Sequence, residues 1–583
     1  MPANDLYLGY PEPTEAPTTS EEAATYRAVP TNNPTLAGFP LAVLSKVVAH
    51  VGPLADLLWV NSGFRVLRRL HAADAYQTRF EPLVVPRFPE PASDNASLFS
   101  EEKDTTFYTS ADYVAAYVAG QTTPTDVAQY LLKLIQDPIH KLAFVETRED
   151  LTLEAAKAST TRYAHGMPKG PLDGVPFFVK DEADVHGYKT TYGSAKVHNN
   201  GEGETAWAVK RLEQAGAILI GKANMHELGT DTTNNNPVKG TPRNPYNKGY
   251  YTGGSSGGSA YAVGSGLVPF AVGADGGGSI RIPSSYCGVY GIKPSHGRIS
   301  ARPSVSVTPG NGVIGPIASS LEDLALVYRV MSEPDPQDPS SSAFPLPRAS
   351  LTPISAPPTK RIGIYRPWFN DAPQAITSFC NSAVERLVAT EGYELVELPA
   401  IPYLNEARVA HALSIITEIA TFANGDFSSY NAANQIILSV ASRTPALDFN
   451  YANKVRNMFM SHFASIWQKY PGMILVTPTS PMPGVKIQES HISVGVSDTN
   501  SSVQCMRYVF LANFIGAPSL SAPVGYLENN IPVGLMGLAE WGKEEDLFGW
   551  GKDVAGGLAT GPGRQKGEIW VDVLGGVGAT KTK

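Results

Sequence analysis

The stretch Tyr251 to Pro283, "YTGGSSGGSAYAVGSGLVPFAVGADGGGSIRIP", constrains this chain more than any other. Glycine and serine this dense normally mark a flexible linker. Here two Gly-Ser clusters instead flank an apolar segment that needs burial. Glycines beside a buried run let backbone N–H groups converge on one point without Cβ obstruction. The stretch therefore predicts a helix and a strand that hold two serine-bearing turns at a fixed separation.

Which serine does chemistry is a separate question. Gly253, Ser255 and Gly257 satisfy G-x-S-x-G, but a nucleophile elbow needs a strand leading into the serine. The preceding "RNPYNKGYYTGG" is turn chemistry. A triad would also need a downstream histidine, and His296, His411, His462 and His491 all lie in undistinguished contexts. The second cluster, "GADGGGSIRIP", places three glycines directly before Ser279, the arrangement an oxyanion hole requires. Lys180 is the candidate base. It ends the apolar run "GVPFFV", where a buried strand would deliver it to the interior, and burial of a lysine favours the neutral amine.

The rest of the chain sets the frame. Apolar runs at 174–181, 217–224, 267–275, 361–366, 393–399 and 473–480 alternate with helical patterns, which predicts an α/β fold with a sheet buried on both faces. Residues 1–104 read as an N-terminal extension with apolar, amphipathic helices, and 105–583 as the main domain. The proline-dense segment 334–358 reads as a surface insertion. With 46 basic and 54 acidic residues and no basic block, the chain is not expected to bind nucleic acid. Cys287, Cys380 and Cys505 match neither a zinc site nor a disulfide framework, and Cys287 is expected to be a packed core residue. No secretory signal is evident at the N-terminus, so a cytoplasmic protein is expected. The window Gly38 to Val60 is broken by Lys46, His50, Pro53 and Asp56. It reads as packed helices, with membrane contact through 38–60 as the lesser alternative.

Four segments together resemble the amidase signature family: "PLDGVPFFVKD" (171–181), "IGKANMHELGTDTTNNNPVKGTPRNP" (220–245), "GGSSGGSAYAVGSGLVPFAVGADGGGSIRIPSSYCGVYGIKP" (253–294) and "FLANFIGAPSLSAPVGYLENNIPVGLM" (510–536). The resemblance implies a central mixed sheet covered on both faces by helices. It also implies a serine, cis-serine, lysine triad that cleaves amides, and by extension carbamates or esters, with no metal or organic cofactor. Carried over by position, Ser279 is the nucleophile, Ser255 the relay serine after a cis peptide bond, and Lys180 the base. The amides of Gly276, Gly277, Gly278 and Ser279 form the oxyanion hole, and Gly229 and Thr230 line the substrate. Ser256 orients Lys180 or caps the following helix, and Asp275 with Arg281 forms a structural brace. Many members carry Thr or Ile at position 276 and Thr at 274, where this chain has Gly and Ala. The partner expected is a small-molecule substrate, with a homodimer left open. The alternatives are a membrane-associated fatty acid amide hydrolase and a glutaminase-type member of an amidotransferase complex.

Overall fold

The structure, a computed structural model, describes residues 6–17, 26, 27, 29, 33–87, 107–347, 360–559 and 563–581. Its centre is an eleven-stranded mixed sheet. In chain order the strands are β1 (Phe144–Glu146), β2 (Pro176–Lys180), β3 (Ile218–Ala223), β4 (Phe270–Asp275), β5 (Tyr290–Lys293) and β6 (Val313–Ala318). They continue with β7 (Arg361–Ile364), β8 (Glu394–Glu397), β9 (Met473–Pro478), β10 (Ser519–Tyr526) and β11 (Pro532–Leu538). Across the sheet they run β8-β7-β9-β11-β10-β5-β6-β4-β2-β3-β1. Every residue of β2, β3, β4, β9 and β11 is buried, as expected of apolar strands covered on both faces.

All six apolar runs marked in the sequence are strands. Five further strands escape that reading. β1 is only three residues long, and β6, β10 and β11 each carry at least two glycines or prolines, against at most one in each of the six strands above.

Two pairings position the site. β2 runs parallel to β3 and to β4, with Lys180 opposite Ala223 and Val179 opposite Val272. The C-terminal ends of β2 and β4 therefore emerge on one edge, bringing Lys180 beside the turn after Asp275. Between the two Gly-Ser clusters runs helix α3 (Gly257–Gly264), which packs on β2, β3 and β4 and leads back into β4. Its start meets the end of β4, where Ser256 N donates to Ser279 O at 3.1 Å.

The Gly38 to Val60 window forms helices α1 (Gly38–His50) and α2 (Gly52–Asn61), bent by 105°. Leu41, Val48, Ala55 and Trp59 face the body, whereas Phe39, Val43, Val47, Val51, Leu57 and Val60 are exposed. Among the described residues no single helix is long and apolar enough to cross a membrane. Trp59, Phe64 and Leu67 share a core with Ile282, Tyr286 and Phe459. Arg68 adds a bidentate pair to buried Asp448, at 2.7 and 2.6 Å. Residues 88–106, which hold most of "PRFPEPASDNASLFSEEKD", lie outside the described residues.

The described part of the proline-dense insertion, 334–347, is mostly exposed or half-buried, with three residues anchored inward. Residues 348–358 lie outside the described residues, but in 334–347 Asp335, Ser341 and Phe344 are buried. Phe344 seats its ring under the Arg298 guanidinium at 5.3 Å, and Asp335 accepts from Ser300 Oγ at 2.8 Å.

Candidate active site

Lys180 ends β2 and is only 2% exposed. Its Nζ donates to Ser255 Oγ at 2.8 Å and to Ala274 O at 3.1 Å. It also makes an ion pair with Glu182 Oε2 at 2.8 Å, a partner that sequence reasoning did not supply. Strand periodicity gives no signal for it, because the strand ends at Lys180 and the turn that follows folds Glu182 back toward the amine. The peptide bond between Gly254 and Ser255 is cis.

Ser256 takes neither predicted role as stated. It sits at the start of α3 but makes no side-chain cap. Its Oγ instead donates to Ala274 O at 3.0 Å and accepts from Ala274 N at 3.3 Å. A hydroxyl able to satisfy both groups of one strand-end residue is committed there, so Ser256 reaches Lys180 only through the shared Ala274 carbonyl.

The turn after β4 is held at three of its carbonyls. Asn513 Nδ2 donates to Asp275 O at 2.8 Å, His411 Nε2 to Gly276 O at 2.9 Å, and Ile282 N to Gly278 O at 2.8 Å. Gly278 N donates to Asp275 Oδ1 at 2.7 Å. This last bond corrects the predicted oxyanion hole, since a Gly278 amide spent on a carboxylate has no hydrogen to offer. Among the described residues nothing accepts from the amides of Gly276, Gly277 or Ser279. In 270–280 only Gly276 and Ser279 are partly exposed, and both line the cavity. Gly278 has φ +115°, and a Cβ there would run into Val509.

Asp275 and Arg281 form the expected brace. The guanidinium reaches the carboxylate through Nε and Nη2, both at 3.0 Å, and both side chains are fully buried. Burial alone would push the Asp275 carboxyl up. Arg281 and the amides of Gly278 and Ile280 more than offset it and hold the group well below the usual carboxylate range.

Lys180, Ser255, Gly276, Ser279 and Gly229 line one cavity of about 240 Å³. Leu228, Ile299, Val307, Ile415 and Ile419 form its apolar side, while Glu81, Glu182 and Asp338 bring carboxylates to its wall. Among the described residues no hydrogen bond joins Ser279 Oγ to Ser255. The structure separates Gly229 from Thr230, because the Thr230 hydroxyl donates to Asn434 Oδ1 at 2.9 Å and the residue is absent from the wall. A larger hollow of about 810 Å³ shares Val305 with this cavity but holds none of Lys180, Ser255 or Ser279.

Histidine chemistry has no footing here. Burial, with the Lys180 charge second, pushes His226 down to about 3, and burial pushes His296 to about 3 and His411 to about 4. Cys287 is buried, and burial pushes its thiol up, away from a reactive thiolate. Among the described residues no cluster of His, Cys, Asp and Glu is arranged to hold a metal ion.

A buried lysine, a serine bonded to it and a second serine beside backbone amides without an acceptor among the described residues thus meet at one end of a mixed sheet. The "Amidase" family model matches residues 126–548, and the chain belongs to the amidase signature family, hydrolases that act on amide C–N bonds. It is 37% identical over 468 residues to a fatty acid amide hydrolase of Medicago truncatula, covering 76% of each chain. It is 31% identical over 471 residues to a glutamyl-tRNA(Gln) amidotransferase component of Deinococcus deserti, covering 76% of this chain and 94% of that one. A solved bacterial aryl acylamidase shares the fold, with a TM-score of 0.68 at 24% identity, covering 81% of this chain and 98% of that one.

Proposed function

We propose that this chain hydrolyses linear amides through an acyl-enzyme on Ser279. The observation that carries the reading is the 2.8 Å bond from buried Lys180 to Ser255 Oγ, on the wall of the cavity that Ser279 lines. The step needs Lys180 as the neutral amine: Ser279 Oγ attacks the carbonyl carbon as its proton passes through Ser255 to the free lone pair of Nζ. The carbonyl oxygen becomes an oxyanion that accepts from the amides of Gly276, Gly277 and Ser279. The Glu182 carboxylate is placed to hold the ammonium so formed. Collapse of the intermediate breaks the C–N bond, and the proton returns through Ser255 to the leaving amine. Water then repeats the attack on the acyl group and frees the acid.

Substrate class follows from the wall. Aliphatic side chains suit an acyl chain, and similarity to a plant fatty acid amide hydrolase supports acyl amides. The cavity is small against the usual 300–1,000 Å³ range, so the reading favours short and medium acyl groups over long ones. Carbamates and esters present the same carbonyl. A second reading, a glutaminase within an amidotransferase complex, is supported by the similarity to the Deinococcus amidotransferase component.

The test is turnover of acetyl, hexanoyl and dodecanoyl p-nitroanilides, with glutamine as a fourth substrate, by the wild type and by Ser279→Ala and Lys180→Ala. Anilide hydrolysis by the wild type alone, best with hexanoyl, supports the proposal. Full turnover by a folded Ser279→Ala refutes it, and glutamine hydrolysis without anilide turnover favours the second reading.

A further inference from the structure

The peptide unit between Gly276 and Gly277 has its carbonyl fixed from outside the turn. His411 lies on helix α4 (Leu404–Ala423), one turn before Ile415, and the same helix faces the cavity with Ile415 and Ile419. Its ring is 1% exposed and sits between Phe510 and Phe514, with centroids 5.9 and 6.2 Å away. A carbonyl only accepts, so the 2.9 Å contact with Gly276 O requires a hydrogen on Nε2. Burial keeps the imidazole neutral at ordinary pH, which makes this the Nε2–H tautomer.

A trans peptide is planar, with its C=O and N–H antiparallel. Anchoring Gly276 O on His411 therefore turns Gly277 N–H to the opposite side, away from α4. The next unit is set in the same manner by Asp275, which takes Gly278 N–H. Of the anchors on this turn, the His411 side chain makes one bond, whereas Asn513 is shared among Asp275 O, Asn311 O and Arg281. The ring also sets what position 277 can be, since a Cβ there would lie 3.0 Å from His411 Cε1 and 3.3 Å from Met506 Sδ.

We infer that His411 is a positioning residue that aims the Gly277 amide as an oxyanion donor, acting on the transition state without touching substrate. The inference rests on the assignment of Ser279 as nucleophile.

The experiment uses the full chain with hexanoyl p-nitroanilide as substrate and 1,1,1-trifluoroheptan-2-one as inhibitor. Ser279 Oγ adds to the ketone carbon, its proton passes to Lys180, and the ketone oxygen becomes an oxyanion in the hole. His411→Leu is expected to lower kcat by about 10–100-fold, up to the loss of one oxyanion donor, with KM within about 3-fold if acylation limits turnover. The ketone should lose affinity by a similar factor. His411→Gln, which keeps an N–H donor at comparable reach, should recover kcat to within about 5-fold of wild type. His411→Met is run as a second donor-free variant should Leu not fold.

A folded donor-free variant with at least half the wild-type kcat overturns the inference. So does a His411→Gln enzyme as impaired as the donor-free one, or unchanged ketone affinity alongside a fallen kcat, since each assigns the residue to packing. Ser279→Ala separates the two levels. Turnover by that variant sinks the nucleophile assignment, whereas a silent Ser279→Ala beside a normal His411→Leu sinks only the role of His411.

Discussion

Asp275→Asn should both destabilise the protein and disable the site. The carboxylate accepts four bonds, from Gly278 N at 2.7 Å and from Ile280 N, Arg281 Nε and Arg281 Nη2 at 3.0 Å each. Asparagine keeps one acceptor and turns an NH₂ toward donors. Arg281 would then retain its bond to Asn513 Oδ1 at 2.6 Å and little else, leaving a cation in a fully buried position without its counter-charge. Removing one partner of such a pair costs about 3–5 kcal/mol, a large share of a total stability of roughly 5–15 kcal/mol. The assay is urea unfolding followed by tryptophan fluorescence, with refolding verified and kcat measured on the same samples.

Two further features of this substitution are diagnostic. Asp275→Asn/Arg281→Met, which removes the orphaned charge, should be more stable than Asp275→Asn by about 2 kcal/mol. The folded carboxyl titrates below its unfolded value of about 3.9. Its contribution is therefore fully present above that pH and is lost as pH falls through the folded value. The gap between wild type and Asp275→Asn should hold steady from about pH 5 to 8 and close only in stronger acid. A gap under about 1 kcal/mol, or a double variant less stable than the single, would refute the reasoning.

Other consequences are open to measurement. Gly278→Ala adds a Cβ that meets Val509 at a backbone φ of +115°, so soluble protein should fall and kcat of what folds should drop by at least about 100-fold; near-normal kcat would contradict the assigned turn. Burial pushes Glu227 up to about 7, with the Asn431 and Asn434 hydrogen bonds opposing it. A carboxyl raised from about 4.3 binds its proton more tightly when folded, so its contribution is lost as pH rises through about 7. Glu227→Gln should therefore gain thermal stability relative to wild type at pH 8.5 compared with pH 5, and an unchanged difference would count against it. Ile415→Trp, which fills the apolar wall, should shift preference from hexanoyl to acetyl p-nitroanilide by about 10-fold or more; an unchanged ratio would remove Ile415 from the acyl pocket.

The reasoning that finds Lys180 in the sequence, a lysine delivered by a buried strand, fits two others equally well. Lys222 lies in β3 and Lys293 ends β5, and both are fully buried. Lys222 spends its Nζ on Asp181 and on Ala183 O, and Lys293 donates to Pro294 O. Burial pushes Lys293 down to about 7, with Arg281 adding to the effect, yet it does not line the cavity. What singles out Lys180 is pairing: parallel β2 and β4 place it beside Ala274, and α3 returns Ser255 to it. That is a long-range relation which composition and spacing do not encode, and the family motif was what selected it.

The same limit explains the residues that were missed. His411 is an undistinguished histidine in a long helix until α4 packs over the glycine turn. Glu81 reaches the cavity only because the extension folds over the body. The glycine run pointed to a turn of convergent amides but not to which amide Asp275 would occupy, since that depends on a side chain folding back on its own turn. By contrast, the sheet core was readable, because strands buried on both faces need continuous apolar runs.

The central claim is that Ser279 carries the acyl group. Brief exposure of the protein to p-nitrophenyl hexanoate, acid quench, and mass spectrometry of the intact chain and its peptides tests this directly. The account predicts one hexanoyl group per chain, on Ser279, accumulating in Lys180→Ala no faster than in wild type and missing from Ser279→Ala. Acylation on Ser255 or another residue, or hydrolysis by Ser279→Ala with no Ser279 adduct in the wild type, would contradict it.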